Sequence, residues 1–231
     1  MPMQNALMSD PSEDSAQAAA AADQVNLAAR LAARLCHDFI SPASAIVSGL
    51  DLIEDPEQQD MREEAMTLIA SSARKLAALL SFSRIAFGGS AASESFDVRE
   101  LERLTSDVFE HVRADLAWSV QTPTLPKAAA RALLNLAQIG ATALPVGGRA
   151  SLGATQGPAG DVALTLDATG ARARLRPEAV DGLMGRPFGE GLGGQWVQAY
   201  FLRAVVDGAK GTLDLQIEDE AVRIRIALPP E

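Results

Sequence analysis

Leu35-Cys36-His37-Asp38-Phe39-Ile40-Ser41-Pro42 is the most informative stretch of the chain. A helix turns about 100° per residue, because 3.6 residues make one turn. With Leu35 set as zero, Ala28, Leu31, Phe39, Pro42, Ile46, Gly49 and Ile53 all fall within about 40° of it and form one apolar stripe. His37 lies about 200° away on the same wheel. Around it on that outer face stand Arg30, Ala33, Ser41, Ser44, Ser48 and Asp51, which are mostly small. The phase predicts an outward imidazole that another protein's active site can approach.

Composition narrows the classes open to the chain. Its 231 residues are 48% hydrophobic, enough for a proper core and one or two domains. Aromatics make up only 4%, so that core must be Leu, Ala, Val and Ile. A net charge of −10 argues against nucleic acid as a partner, since phosphate binding needs a clustered basic surface. The single cysteine, Cys36, excludes an intramolecular disulfide and fits a reducing cytoplasm. No run of about 18 apolar residues is seen, so no membrane span is expected. The N-terminus lacks the basic start and apolar run of a secretory signal. The expectation is a soluble cytoplasmic protein.

The chain divides into a helical first half and a mixed second half. Residues 1–22 mix Ser, Asp, Pro and Ala without apolar periodicity and are expected to be a disordered tail. A long amphipathic helix is predicted from Asp23 to Glu54, broken at Asp55-Pro56-Glu57, and a second from Pro56 to Phe87. The second carries Met61, Ala65, Leu68, Ser72, Leu76, Leu79, Ser83 and Ala86 at alternating spacings of three and four. Two helices bury such seams poorly by themselves, so residues 23–88 are read as a hairpin that dimerises into a four-helix bundle. Gly88 to Ser93 reads as a linker. Beyond it, Phe96–Val112 reads as a short strand or turn leading into a helix, and further helices are expected at Lys127–Leu144 and Gln195–Asp207. Strands are expected at Leu116–Val120, Arg149–Thr155, Val162–Asp167, Gly211–Glu218 and Ala221–Leu228. Two-residue alternation in Leu213-Leu215-Ile217 and Val222-Ile224-Ile226 supports a closing antiparallel hairpin. The fold class is α+β, with the second half an α/β sandwich of one sheet and helices on one face.

His37-Asp38-Phe39-Ile40-Ser41-Pro42 resembles the H-box of dimerising sensor histidine kinases: a histidine, an acid, two apolar residues, a small hydroxyl residue and a proline. The wider run Ala33–Asp55 is similar to the alphaproteobacterial histidine phosphotransferases of the ChpT type. The resemblance implies that residues 94–231 form a degenerate version of the kinases' Bergerat-type ATP-binding domain. A kinase N-box reads roughly Asn-Leu-x-x-Asn-Ala, its second Asn holding the magnesium of ATP. The matching segment Leu134–Gly140 keeps Asn135 but has Ile139 at the metal position. An aliphatic chain supplies no oxygen for a hard cation. The Asp-x-Gly-x-Gly box appears as Asp167-Ala168-Thr169-Gly170-Ala171-Arg172, and the glycine-rich lid shrinks to Gly191-Leu192-Gly193-Gly194. No nucleotide cofactor is expected.

By this resemblance the activity is phosphoryl transfer through His37, from the aspartate of a hybrid kinase's receiver domain to the aspartates of response regulators. Imidazole suits that relay as a neutral nucleophile at cellular pH. Magnesium is expected on the receiver and not on this chain. Asp38 would hold one ring nitrogen. Ser41, one turn on, would hydrogen-bond the phosphoryl group or a water. Pro42 leaves the Asp38 carbonyl without its helical donor. Arg30, Ala33, Arg34, Ile40, Ser44 and Ser48 are the expected receiver-docking residues.

Other readings compete at several positions. His111 is read as structural or solvated. Two histidines and one cysteine make no convincing transition-metal site. Cys36 and His37 point about 100° apart on a helix, which poses them poorly as nucleophile and base. The acidic run Glu54-Asp55-Glu57-Asp60-Glu63-Glu64 reads as solvated surface. Two rival functions remain at this point: an ATP-dependent sensor kinase, and a dimer that binds receivers without transferring phosphate.

Overall fold

The structure is a computed structural model that describes residues 11–88, 95–187 and 196–230, with side chains of the first helix from residue 22 onward. Helix α1 spans Pro11–Glu54, a 3-10 turn follows at Pro56–Met61, and α2 spans Arg62–Ala86. The turn is set locally: the Asp55 carboxylate accepts from the Glu57 amide at 2.9 Å, and Pro56 sits where the missing N–H costs nothing. The helices then run antiparallel. Gly49 is what lets them meet, because a Cβ there would stand 2.6 Å from Ile69 Cγ1 and 3.2 Å from the Ala65 carbonyl.

Three expectations for this half need correction. α1 begins at Pro11, so residues 11–22 are helical where a disordered tail was expected. The Ala-rich run from Ala18 to Ala22 has high helix propensity and simply continues the helix backwards. The second helix starts at Arg62, because Pro56–Met61 winds as a 3-10 turn. Met61, in that turn, and Leu68, in α2, are 41% and 38% exposed and do not fill the seam. By length and composition the segment Pro56–Ala86 is also apolar enough to cross a bilayer, contrary to expectation. It is the second arm of the hairpin here, with Arg74 and Lys75 at its middle.

The second half is one main sheet covered on one face. β1 (Ser95–Asp97) and β3 (Thr124–Pro126) make a short antiparallel ribbon. β2 (Ala114–Val120), β4 (Gly148–Gln156), β5 (Val162–Thr169), β6 (Thr212–Glu218) and β7 (Ala221–Leu228) form the main sheet in the order β2-β4-β5-β7-β6. Only β2 and β4 pair in parallel. Helices α3 (Val98–Phe109), α4 (Lys127–Ala143) and α6 (Val197–Gly208) lie over it, while α5 (Pro177–Leu183) packs on α6. Alternation assigns the faces: Val162, Leu164, Leu166 and Ala168 are buried, whereas Thr165 and Asp167 point to the open side. α4 sits so close to β5 that a Cβ on Gly140 would come within 2.8 Å of Leu166 Cδ1.

The fold class read from the sequence holds: a two-helix hairpin followed by a sandwich with helices on one face. β3 and α5 were missed, being three and seven residues long with little room for periodicity. The linker at 89–93 and the glycine lid at 191–194 lie outside the described residues. The hairpin and the sandwich share one core. Phe82, Ile85 and Ala86 of α2 are 0–2% exposed and belong to the same apolar cluster as α4 and the sheet. Burying an aromatic of this size contributes on the order of 2–3 kcal/mol.

Candidate functional site

His37 projects into solvent from the middle of α1, its side chain 89% exposed. The apolar stripe opposite it behaves as the wheel predicts: Leu31, Pro42 and Gly49 are buried, and Leu35, Phe39, Ile46 and Ile53 are half-buried. Ala28 departs from it and is exposed. With Gly49 set against Ala65 and Ile69, antiparallel α2 runs out before α1 reaches Ala28.

A short polar chain runs beside the imidazole. His37 Nδ1 lies 3.3 Å from Asp38 Oδ1, and Arg34 Nε donates to Asp38 Oδ2 at 3.3 Å. Arg34 is one turn before Asp38, the spacing at which helical side chains meet. Its side chain is only 19% exposed and Asp38's is 34%, so the ion pair is partly sheltered while the ring is not. Sequence reasoning placed Arg34 on a docking face and missed this pairing, although the i, i+4 spacing from base to acid was there to be read. Ser41, Ser44, Ser48, Ala33 and Ile40 are all exposed on or beside the His37 face, and Arg30 is half-buried. The arrangement presents one nitrogen to solvent, backs the other with a carboxylate, and surrounds both with small side chains that do not obstruct approach.

Arg30 leads to the second half. α1 touches α6, and Tyr200 of α6 feels the Arg30 charge. Burial raises the Tyr200 phenol above its ordinary range, Asp181 and Glu178 add to that, and Arg30 opposes it.

The residues matched to a kinase nucleotide site are hydrogen-bonded and packed as follows. Asn135 is 0% exposed; its Nδ2 donates to the Ala86 carbonyl at 3.2 Å and to the Arg131 carbonyl at 2.8 Å. Its Oδ1 accepts from Gln198 Nε2 at 3.2 Å. Ile139 is 5% exposed, and with Thr142, Leu175, Ala179, Trp196, Gln198 and Ala199 it lines a cavity of about 10 Å³. That volume holds roughly one water, whereas ligand pockets typically run to several hundred Å³. Asp167 faces the open side of the sheet, where Arg225 Nη2 grips it at 2.7 and 3.0 Å and Arg223 Nε lies 3.5 Å away. Among the described residues no group of three His, Cys, Asp or Glu side chains is placed to hold a metal. His111 is exposed at the turn after α3, and Cys36 is exposed beside His37.

Comparison with known proteins bears on the whole chain. Residues 98–221 match the family model of the histidine phosphotransferase C-terminal domain. The chain is 33% identical over 198 residues to the protein phosphotransferase ChpT of Brucella abortus, which covers 84% of this chain and 93% of that protein. A 1.7 Å structure of a bacterial phosphotransferase superposes with a TM-score of 0.76 at 30% identity, over 87% of this chain and 96% of the other. With both halves matched in sequence and in fold, the chain belongs to the ChpT-type histidine phosphotransferases, a family of protein phosphotransferases.

Proposed function

We propose that His37 is the phosphoryl carrier, loaded from the aspartyl phosphate of a hybrid kinase's receiver domain and unloaded onto response regulators, without use of ATP. The observation that carries this reading is an 89% exposed imidazole whose Nδ1 is already engaged by Asp38. A proton held on Nδ1 leaves the Nε2 lone pair facing outward. Nε2 attacks the phosphorus in line, the bond from phosphorus to the aspartyl oxygen breaks, and the aspartate leaves with its electron pair. The Nδ1–H then carries the imidazolium character of the product, opposite the Asp38 carboxylate. Such a step asks mainly for positioning and charge stabilisation. The receiver brings the magnesium and this chain brings the nitrogen.

The same reading includes a homodimer. Val25, Ile40, Val47 and Leu50 on α1 are 46–69% exposed, and Met66 and Leu80 on α2 are 54% and 49% exposed. The four α1 residues fall at about 60–140° on the wheel that has Leu35 at zero, a second apolar stripe beside the first. A second hairpin would cover such exposed apolar side chains as a four-helix bundle. The small volume of the cavity beside Ile139 and the pairing of Asp167 with Arg225 support a reaction without ATP.

His37→Gln tests the assignment: incubated with a phosphorylated receiver, the variant takes up no phosphoryl group, while its size in solution matches the unsubstituted protein. Uptake by the variant would place the carrier elsewhere. Mg-ATP added to the unsubstituted protein gives no binding heat in calorimetry. Saturable binding would favour the kinase reading.

A further inference from the structure

The last turn of α2 ends against α4 and α6, where its free carbonyls have to find partners. Asn135 Nδ2 takes the Ala86 carbonyl at 3.2 Å, and Arg131 Nη2 takes that of Phe87 at 3.3 Å. Gln198 on α6 holds Asn135 Oδ1 at 3.2 Å and is itself 3% exposed. A ring contact doubles the joint: Phe87 meets Phe201 edge to face at 5.3 Å, with the Arg131 guanidinium 5.2 Å from the Phe201 centroid. Three helices are thus tied by one buried polar network. A buried amide with no water to turn to accepts one arrangement of its neighbours and penalises others.

We infer that Asn135, Gln198 and Arg131 form a latch that fixes the orientation of the sandwich relative to His37, so that α6 belongs to the surface a receiver meets. The inference rests on His37 being the carrier. Its geometric ground is the reach of an ordinary interface: about 800 Å² per partner is a patch roughly 30 Å across. Arg30 lies seven residues before His37, about 10 Å along the helix axis, on the helix that touches α6, and its charge reaches Tyr200 there. A receiver centred on His37 therefore overlaps the α6 flank. With the latch closed, that flank needs no ordering at the moment of docking. Asn135, Gln198 and Arg131 are positioning residues and touch no reacting atom.

The test uses the full chain and the double variant Asn135→Leu/Gln198→Met. The pair of substitutions removes the mutual amide hydrogen bond without leaving either amide unpaired, while the Ala86 carbonyl loses its donor. Transfer from a receiver phosphorylated with acetyl phosphate is followed against receiver concentration. In parallel, spin labels at positions 75 and 204, in a Cys36→Ala background, report the α2–α6 distance distribution by pulsed electron resonance. The expected result is a rise in KM of about tenfold with kcat nearly unchanged, together with a broadened distance distribution. An unchanged KM with an unchanged narrow distribution overturns the latch, as does a fall in kcat at constant KM. If the double variant does not fold, Arg131→Met, which removes the donor to Phe87 and the guanidinium over Phe201 but leaves both amides in place, is read on the same two quantities. If the unsubstituted protein accepts no phosphoryl group, the carrier reading has failed, and the distance measurement alone judges the latch.

Discussion

His37 on α1 is 89% exposed and touched by one carboxylate, whereas Asn135 on α4 is 0% exposed with both amide atoms hydrogen-bonded. Both side chains sit in stretches that resemble sensor-kinase motifs. The hairpin keeps its group reachable and lightly supported. The sandwich has folded its group into the joint between the two halves. Ile139, one turn further along α4 and 5% exposed, adds an apolar side chain to the same packed region. The lesson is that retention of a residue type says little until its partners are known. Asn135 donates to the carbonyl at the end of α2 and so serves packing there.

Substitutions can break or sharpen this contrast, and the largest effect is expected on the packed side. Phe82→Ala empties the shared core at a fully buried site and should cost about 3–5 kcal/mol, read as a shift of the urea midpoint. A loss under about 1 kcal/mol would mean that the hairpin and the sandwich do not share a core. Next comes the unpartnered apolar stripe. Val47→Glu puts a charge where a second hairpin is proposed to pack, and sedimentation should show monomer at concentrations where the unsubstituted protein is a dimer. Persistence of the dimer would move the interface elsewhere.

Smaller effects belong to the exposed side. Asp38→Asn keeps the shape beside His37 and removes the charge. A charge-assisted hydrogen bond is worth about 1.5–3 kcal/mol, and Asp38 is partly exposed, so phosphoryl uptake should slow by about tenfold at the low end of that range. No change in rate would reduce Asp38 to a helix-surface acid. Arg34→Ala is the mildest. The ion pair it removes contributes at most about 1 kcal/mol, and the measurable change should be a few-fold in receiver association rate with a weaker salt dependence.

The sequence was most readable where periodicity is long. α1 offers a dozen turns, and its buried and exposed faces came out as the wheel placed them, from Leu31 to Ile53 on one side and His37 with Ser41, Ser44 and Ser48 on the other. β5 and β7 were legible because strict alternation survives in Val162–Ala168 and Val222–Leu228. Legibility failed where local chemistry overrides pattern. Pro56 and Asp55 wind a 3-10 turn that no apolar spacing announces. The alanines before Asp23 carry helix propensity without periodicity, so the start of α1 was set too late. The partners of Asn135 lie 49 and 63 residues away, at Ala86 and Gln198, and no local spacing could reveal them.

The central claim is that one exposed imidazole carries the phosphoryl group. The most direct measurement mixes the protein with a phosphorylated receiver in the absence of ATP, traps the product at alkaline pH, and locates the phosphate by mass spectrometry. The account predicts an acid-labile phosphate on His37 that leaves when an unphosphorylated regulator is added. A phosphate on any other residue, or a receiver that binds without losing its label, would contradict it.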